Sequence, residues 1–155
     1  MNTEPDSGMI VLATDACWTL LRSTTVGRLA VVVSGYPDIF PINFVVDHGT
    51  IVFRTAVGTK LAAAVIGHVV AFEVDGYEPA AGEAWSVVVK GHVEQVTQAQ
   101  EMIDTTDLPL FPWHAGPKPR FVRIVPENVS GRRFRVAATS AWDNPLAAAP
   151  RTSTD

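Results

Sequence analysis

Residues 28–57 are crowded with β-branched and aromatic side chains, and this density constrains the fold more than any other feature. The segment divides into RLAVVVS, DIFPINFVVD and TIVFRTAV, and the breaks fall at Gly35 and at the pair His48-Gly49. Apolar runs of this length between turn residues are typical of strands joined by hairpins. The sequence therefore predicts three consecutive antiparallel strands.

The middle strand presents different residues to its two faces, because side chains alternate along a strand. One face carries Phe40, Ile42, Phe44 and Val46. On the other face, Asn43 is the polar side chain among Ile39, Pro41 and Val45. Proline cannot donate a ladder hydrogen bond, so Pro41 predicts a bulge or an edge where backbone groups are open to another molecule.

Two further β-prone runs, HVVAFEVDGYE and WSVVVKGHVEQV, follow a helix predicted over residues 60–66. Both runs are apolar on two faces. In a chain whose helices are short, this favours a closed, mainly β barrel of six or more antiparallel strands whose outer wall is also covered. A second copy of the chain would be a natural cover, so we expect a homodimer.

The ends of the chain predict little regular structure. Residues 1–13 lack periodicity and predict a flexible arm, and residues 137–155 predict a tail. The domain between them, 14–136, is predicted to begin with a helix over ACWTLLRS that Thr14 or Asp15 caps. Its last part is predicted as a short helix over 97–105, an irregular loop over 106–120, and a final hairpin or strand pair over 121–136.

The composition narrows the class of protein. A chain of 155 residues, 47% of them hydrophobic, can bury one core. Its net charge of −4 argues against a protein that works mainly on nucleic acid. No apolar run approaches the ~20 residues that span a bilayer, and the acidic start lacks a basic region, so we expect a cytoplasmic protein. Cys17 is the only cysteine, which excludes an internal disulfide, and its neighbours predict that it is buried.

The most informative polar residues lie where the third strand is predicted to end and a helix to begin. The stretch IVFRTAVGTK supplies two cations, Arg54 and Lys60, and two hydroxyls, Thr55 and Thr59. With the outward N–H groups of a helix start, this set would hold a phosphate monoester. The spacing differs from the GxxxxGK[ST] loop that binds nucleoside triphosphates. The alternative is an edge strand with two solvated charges and an ordinary helix cap.

A second cationic region falls late in the chain. It contains six of the twelve basic residues, and Glu127 is the only acid among them. These residues are Lys118, Arg120, Arg123, Arg132, Arg133 and Arg135. Such a local excess of positive charge predicts a contribution to anion binding.

The remaining polar and aromatic candidates have competing interpretations. The four histidines lie 20 or more residues apart, which favours structural or solvent-facing roles over metal or haem ligation. Glu73 and Asp75 share a strand face, as a catalytic carboxylate pair would, but the loop-like DGYEP context favours solvation. Trp85 and Trp113 are each either a core side chain or an aromatic wall for a planar ligand.

The chain resembles the pyridoxamine 5′-phosphate oxidase-like group of FMN-binding split β-barrels, most closely the small actinobacterial-type members related to nitroimidazole-resistance proteins. The resemblance extends over about residues 14–134. It is carried by six blocks in the same order, which are VGRLAVV, FPINFVV, IVFRTAVGTKL, VAFEVDGYEP, WSVVVKGHVEQV and SGRR. It implies a split barrel that dimerises around two FMN molecules, each in a cleft between the subunits.

The resemblance also implies which residues bind the flavin. The phosphate would be held by Arg54, Thr55, Thr59 and Lys60. The isoalloxazine ring would lie along Pro41, Ile42, Asn43 and Phe44. The pocket would be completed by Trp85 and Ser86, from the second subunit, and by Trp113.

The expected activity is oxidation or reduction of a small organic substrate by hydride transfer through the flavin, with no protein acid or base assigned. The chain lacks the C-terminal arginine and histidine pattern of true pyridoxamine phosphate oxidases, so that reaction is not expected. One alternative is a flavin-binding or flavin-storing protein without enzymatic activity. Another is a deazaflavin-dependent reductase, and related barrels also bind haem.

Overall fold

The computed structural model describes residues 8–56, 59–96 and 119–136. The helices in this part of the chain are α1 (Thr14–Arg22) and α2 (Lys60–Val65). The strands are β1 (Met9–Val11), β2 (Val26–Val33), β3 (Tyr36–Asp47), β4 (Thr50–Ala56), β5 (Val69–Glu78), β6 (Glu83–Gln95) and β7 (Pro119–Arg135). The helix predicted over 97–105, most of the loop predicted over 106–120 and the predicted tail lie outside the described residues.

All of these strands belong to one antiparallel sheet that closes on itself. Neighbouring strands follow the order β1-β7-β4-β3-β2-β5-β6, and β6 also pairs with β7. Six strands therefore form a barrel, and β1 is added at the edge of β7. The prediction of a mainly β barrel with short helices is confirmed.

The two predicted hairpins connect β2 to β3 and β3 to β4. The turns contain Gly35, with φ of 81°, and His48-Gly49, with φ of 48° and 70°. A left-handed backbone reverses the chain tightly, and glycine adopts it without a clash from a Cβ atom. The turn residues therefore account for both the positions of the hairpins and the register of the strands.

The predicted alternation along β3 is confirmed. Ile42 and Phe44 are buried, and the Phe44 ring packs edge to face on Phe72 with centroids 4.7 Å apart. Pro41 is exposed and pairs with Arg28 of β2 without a bulge. Because β4 pairs with β3 only from Phe44 to Asp47, no described strand flanks the other side of Pro41. Of the two predictions for Pro41, the edge is correct.

Helix α1 closes part of the core. Cys17 and Leu21 are fully buried, and the Cys17 sulphur lies so close to Gly131 of β7 that a Cβ there would come within 2.6 Å of it. The absence of a side chain at Gly131 therefore permits the contact between helix and strand. The expected burial of Cys17 is confirmed, and this burial raises the pKa of its thiol.

Three predictions of local structure are wrong. Residues 9–11 of the predicted flexible arm form β1, because Met9–Val11 pair with residues 132–134, far away in sequence. The N-cap of α1 is Ala13, rather than Thr14 or Asp15, and it makes no side-chain capping bond. The predicted final hairpin is one continuous strand of 17 residues, β7. In β7 a register shift opposite Lys90 and Gly91 leaves Glu127 as an extra residue, and the strand continues on both sides of it.

In the described part of the chain, neither helix has the length and apolar character needed to cross a bilayer.

Candidate functional site

Thr55 lies at the end of β4 on the face that points into the barrel. Its residue is 4% exposed, and its hydroxyl oxygen is buried without a hydrogen-bond partner among the described residues. Across the sheet, Thr55 pairs with Arg120 of β7. A buried hydroxyl without a partner costs about 1–3 kcal/mol. This corner of the barrel is therefore suited to a ligand that supplies a hydrogen-bond partner.

Arg54 points to the opposite, outer face of the sheet, as expected from strand alternation. Its guanidinium carbon lies 5.2 Å from the centroid of the Phe121 ring. Since Phe44 pairs with Phe53, the next position along the two strands places Asn43 beside Arg54 on the same face. The sheet thus separates Arg54 and Thr55, two members of the predicted phosphate set, at one strand end.

Thr59 and Lys60 mark the start of α2, three residues or more beyond β4. The Thr59 hydroxyl accepts a hydrogen bond from the Ala62 N–H at 3.2 Å, so Thr59 caps the helix. Lys60 is exposed. Helix α2 has only six residues, so its dipole is small and the positive charge here comes mainly from the Lys60 side chain.

The four residues predicted to lie along a flavin ring divide between the core and the surface. The side chains of Ile42 and Phe44 are buried in the core, where a ligand on the outer face can meet only their backbone. The Phe44 N–H already donates to the Thr25 carbonyl at 3.1 Å. Pro41 and Asn43 face outwards, on the same side as Arg54.

Trp85 and Ser86 lie at an open cleft of about 490 Å³ at the other end of β7. Trp85 is 7% exposed, and its indole ring covers Gly76 so closely that a Cβ there would be 2.6 Å from the ring. Most of the Trp85 surface is buried, which agrees with the first of its two interpretations, a core side chain. Ser86 points into the cleft from the outer face of β6.

The outer face of the cleft is formed by two rows of side chains across β5, β6 and β7. One row is Asp75, Ser86 and Arg132, and the next is Tyr77, Ala84 and Phe134. Of these residues only Ser86 was predicted as a site residue, although Arg132 belongs to the basic region. No local pattern indicates the complete rows, because β7 lies about 50 residues beyond β6 in the sequence.

The corner at Thr55 and the cleft at Ser86 are far apart within one chain. Thr55 pairs with Arg120 and Ser86 pairs with Arg132, so the two places are separated by twelve residues of β7. At ~3.3 Å per residue, this is a path of about 40 Å along the strand. The predicted flavin residues therefore form two groups in the protomer.

Glu73 and Asp75 are neither solvated separately nor arranged as a bare carboxylate pair. Both accept hydrogen bonds from one nitrogen of Arg28, at 2.7 and 2.8 Å. Burial raises the pKa of Glu73, while the hydrogen bond from Arg28 works in the opposite direction. Asp75, at the edge of the cleft, therefore shares one arginine with Glu73, and this single positive charge offsets only one of the two carboxylates.

The late basic region is spread along β7 and does not form a single patch. Arg123 binds the Asp47 carboxylate at 3.0 Å and the Thr50 hydroxyl, which holds the turn between β3 and β4. Arg133 lies 3.9 Å from Glu83. Among the described residues of this region, Arg120 lies beside Thr55 and Arg132 lies in the cleft. Lys118 and Trp113 lie outside the described residues.

The described histidines have surface positions. His48 contacts the Asp47 carboxylate at 2.9 Å, and His68 is exposed. His92 lies between two carboxylates, with its ring nitrogens 3.1 Å from Glu94 and from Glu127. The hydrogen bonds to Glu127 and Glu94 raise the pKa of His92.

Comparison with known proteins identifies similar chains of the same architecture. A family model described as pyridoxamine 5′-phosphate oxidase matches residues 13–133. The structure of the FAD binding protein from Mycobacterium smegmatis shares 40% identity and a TM-score of 0.75, over 83% of this chain and all of that one. An uncharacterised Mycobacterium tuberculosis protein is 33% identical over 131 residues, 81% of this chain and 86% of that protein.

A more distant match shows the fold alone. A Bacteroides thetaiotaomicron structure described as a candidate 5-nitroimidazole antibiotic resistance protein is 12% identical, with a TM-score of 0.59. The alignment covers 82% of this chain and 89% of that one. The family match over residues 13–133 confirms the resemblance drawn from the six sequence blocks.

Proposed function

Because this chain belongs to the pyridoxamine 5′-phosphate oxidase family, we propose that it is a flavin-binding protein whose phosphate site is the corner formed by β4 and α2. The observation that carries the proposal is the buried Thr55 hydroxyl, which has no hydrogen-bond partner among the described residues and lies beside Arg120. A phosphate oxygen would accept its hydrogen bond in a site where positive charge is also present. The donor set therefore fits a flavin nucleotide.

Lys60 and Arg54 complete this site from the two sides of the strand end. Lys60 is an exposed point charge at the start of α2, and Arg54 lies on the outer face beside Asn43. On that face, Pro41 and Asn43 border an edge of β3 that no described strand covers. The ring system would lie along this edge, where backbone groups and the Asn43 amide can hydrogen-bond to its polar atoms.

The ligand is proposed as FAD or FMN. FAD is the first to test, because the 40% identical Mycobacterium smegmatis protein is described as FAD binding. FMN, the flavin expected from the sequence blocks, shares the isoalloxazine ring and the first phosphate, so the same corner would serve both. A deazaflavin carries a similar tricyclic ring, and competitive titration against the two flavins tests it.

A homodimer accounts for the separation between the corner and the cleft. Within one protomer the two groups are separated by a path of about 40 Å along β7. A partner subunit would bring its own Ser86 cleft to the flavin held at the first subunit's corner. Exposed apolar side chains on the outer faces of β2, β3 and β5 support such an interface, namely Val32, Ile39 and Val69.

An oxidoreductase is the proposed activity. A bound flavin supplies hydride and single-electron transfer. The chain itself would bind the phosphate through Lys60 and Thr55, orient the ring along β3 and, through the second subunit, exclude water from one of its faces. No described side chain is assigned as a catalytic acid or base.

The proposal is tested by titrating the protein separately with FAD and FMN and following the quenching of flavin fluorescence. Lys60→Ala should weaken the affinity by about 1.5–3 kcal/mol, the range for hydrogen bonds to charged groups. Lys90→Ala, which removes an exposed lysine from the outer face of β6, is the control and should leave the affinity unchanged. Equal affinities for the two variants would place the phosphate elsewhere.

Turnover is tested separately with the flavin-loaded protein. Steady oxidation of a reduced nicotinamide in the presence of an electron acceptor would support the oxidoreductase. Tight flavin binding without turnover of any donor and acceptor pair would favour the flavin-storing alternative.

A further inference from the structure

Two aromatic side chains line the cleft in one row across the outer surface of β5, β6 and β7. Tyr77 and Phe134 are 56% and 37% exposed, and Ala84 lies between them on the middle strand. The small alanine leaves space between the two strands that carry the aromatic residues. We name Tyr77, Ala84 and Phe134 the aromatic slot.

The width of the slot matches a single planar ring. Neighbouring strands lie ~4.8 Å apart, so Tyr77 and Phe134, two strands apart, have backbones separated by ~10 Å. A ring placed midway would lie ~5 Å from each aromatic residue, within the ~4.5–7 Å range of centroid distances for aromatic pairs. The whole cleft of about 490 Å³ is also within the usual range of roughly 300–1,000 Å³ for small-molecule sites.

A cationic side chain, Arg132, lies next to the slot. Arg132 is exposed, lines the cleft two residues before Phe134, and makes no hydrogen bond or ion pair with any residue in the described ranges. The Asp75 carboxylate in the same row is bound by Arg28 at 2.8 Å. The Ser86 hydroxyl lies between them on β6. An anionic group would therefore meet an arginine that has no competing carboxylate bound to it.

From these observations we propose that the aromatic slot binds a planar aromatic ring that carries an anionic group, with the ring between Tyr77 and Phe134 and the anion at Arg132. The inference rests on the proposed flavin site, because the partner's flavin would lie at the Ser86 end of the same cleft. The ring and the anion could come from two sources. One is the adenosine phosphate half of FAD, and the other is a separate aromatic anion that acts as substrate.

The test uses two probes, adenosine 5′-monophosphate and 2-naphthoate, titrated into FMN-loaded protein by calorimetry. Both should bind. Tyr77→Leu should weaken each by roughly 3- to 10-fold, the equivalent of one aromatic contact. Arg132→Gln should weaken each by roughly 10-fold or more. Tyr36→Leu and Arg22→Gln are matched controls at exposed positions away from the cleft, and should have no effect.

A second variant keeps the test valid if removal of an aromatic residue disturbs the fold. Ala84→Leu fills the space between the two aromatic residues and leaves both of them and Arg132 in place, so it should abolish probe binding while the circular dichroism spectrum stays unchanged. Binding that is equal in wild type, Ala84→Leu and Arg132→Gln would overturn the proposal, as would the absence of binding by both probes.

The source of the ring is decided by repeating the titration on FAD-loaded protein. If the adenine of FAD occupies the slot, FAD should block both probes, and Ala84→Leu should lower the affinity for FAD but not for FMN. If a separate substrate occupies it, the probes should bind equally to both forms. Failure of the flavin proposal is distinguished by titrating flavin-free protein, because the slot would still bind the probes when neither flavin binds.

Discussion

Thr55 is the one polar residue that is buried in the described part of the chain. Its neighbours on the same face of β4 are Ile51 and Phe53, which contribute to packing as apolar residues should. A threonine at this position adds a polar atom where valine would have the same shape. A buried hydroxyl without a partner is unfavourable for stability, and a ligand that supplies the partner would remove that cost.

Replacing Thr55 by valine should have opposite effects on the stability of the protein and on its affinity for flavin. Without flavin, Thr55→Val should raise the free energy of unfolding by about 1 kcal/mol, because an unpaired buried hydroxyl is removed. The affinity for FAD or FMN should fall by about 1.5–3 kcal/mol, because the phosphate loses a donor. Urea denaturation and fluorescence titration measure the two quantities. Thr25→Val, at an exposed position, should change neither, and a destabilised Thr55→Val with normal affinity would show that the hydroxyl is satisfied within the protein.

Among the secondary structure elements, the pair β6 and β7 contains the irregularity with the clearest electrostatic consequence. The register shifts beside Gly91, and Glu127 is the extra residue on β7. His92 of β6 bonds to Glu127 and, on its own strand, to Glu94. Both bonds are strongest when the imidazole is protonated, because it then donates from both nitrogens.

The pH dependence of stability should reveal this arrangement. The two carboxylates raise the pKa of His92 above its ordinary value of 6.5. The stabilisation is therefore complete below that value and is lost as the pH rises through the higher, folded-state pKa. Urea midpoints measured from pH 5.5 to 8.5 should show wild type more stable than His92→Gln at the acid end, with the difference shrinking towards the alkaline end. A difference that grows with pH would contradict the assignment.

The elements that the sequence predicted correctly are those that local patterns determine. The turns at Gly35 and Gly49, and the alternation of Ile42 and Phe44 with Pro41, all follow from neighbouring residues. In contrast, β1 is three residues long and exists through its pairing with β7. The continuity of β7 likewise depends on its pairing with β6. Long-range pairing decided both of these errors.

The candidate site shows the same division. The corner with Arg54, Thr55, Thr59 and Lys60 lies within one short stretch, so its composition was visible in the sequence. The distribution of Arg54 and Thr55 onto opposite faces follows from the period of two. The aromatic slot could not be predicted, because Tyr77 and Phe134 become neighbours only through the registers of β5, β6 and β7.

At the scale of the whole molecule, the outer wall of the barrel is the unusual surface. Ile39 is 65% exposed on the same face of β3 as Pro41, and Val32 and Val69 extend this apolar surface over β2 and β5. A closed barrel leaves few free sheet edges, and here the edge beside Pro41 is proposed for the flavin ring, so we expect a partner to cover faces rather than pair strands. A dimer is the assembly we propose for this surface.

Ile39→Glu should break that dimer. A charge buried at an interface is strongly unfavourable, so sedimentation velocity should show a monomer with an unchanged circular dichroism spectrum. The affinity for flavin should fall at least ~10-fold, about 1.4 kcal/mol, because the partner's half of the site is lost. Thr19→Glu adds the same charge to an exposed position on α1 and should remain dimeric. A dimeric Ile39→Glu with normal flavin binding would place the interface elsewhere.

The most direct measurement is the flavin content of the purified, reconstituted protein. The chain is incubated with excess FAD or FMN, separated from unbound ligand by gel filtration, and analysed by visible absorbance, fluorescence and mass. We expect a yellow dimer with one bound flavin per chain and quenched flavin fluorescence. A colourless protein that leaves the fluorescence of both flavins unchanged would contradict the proposed flavin site.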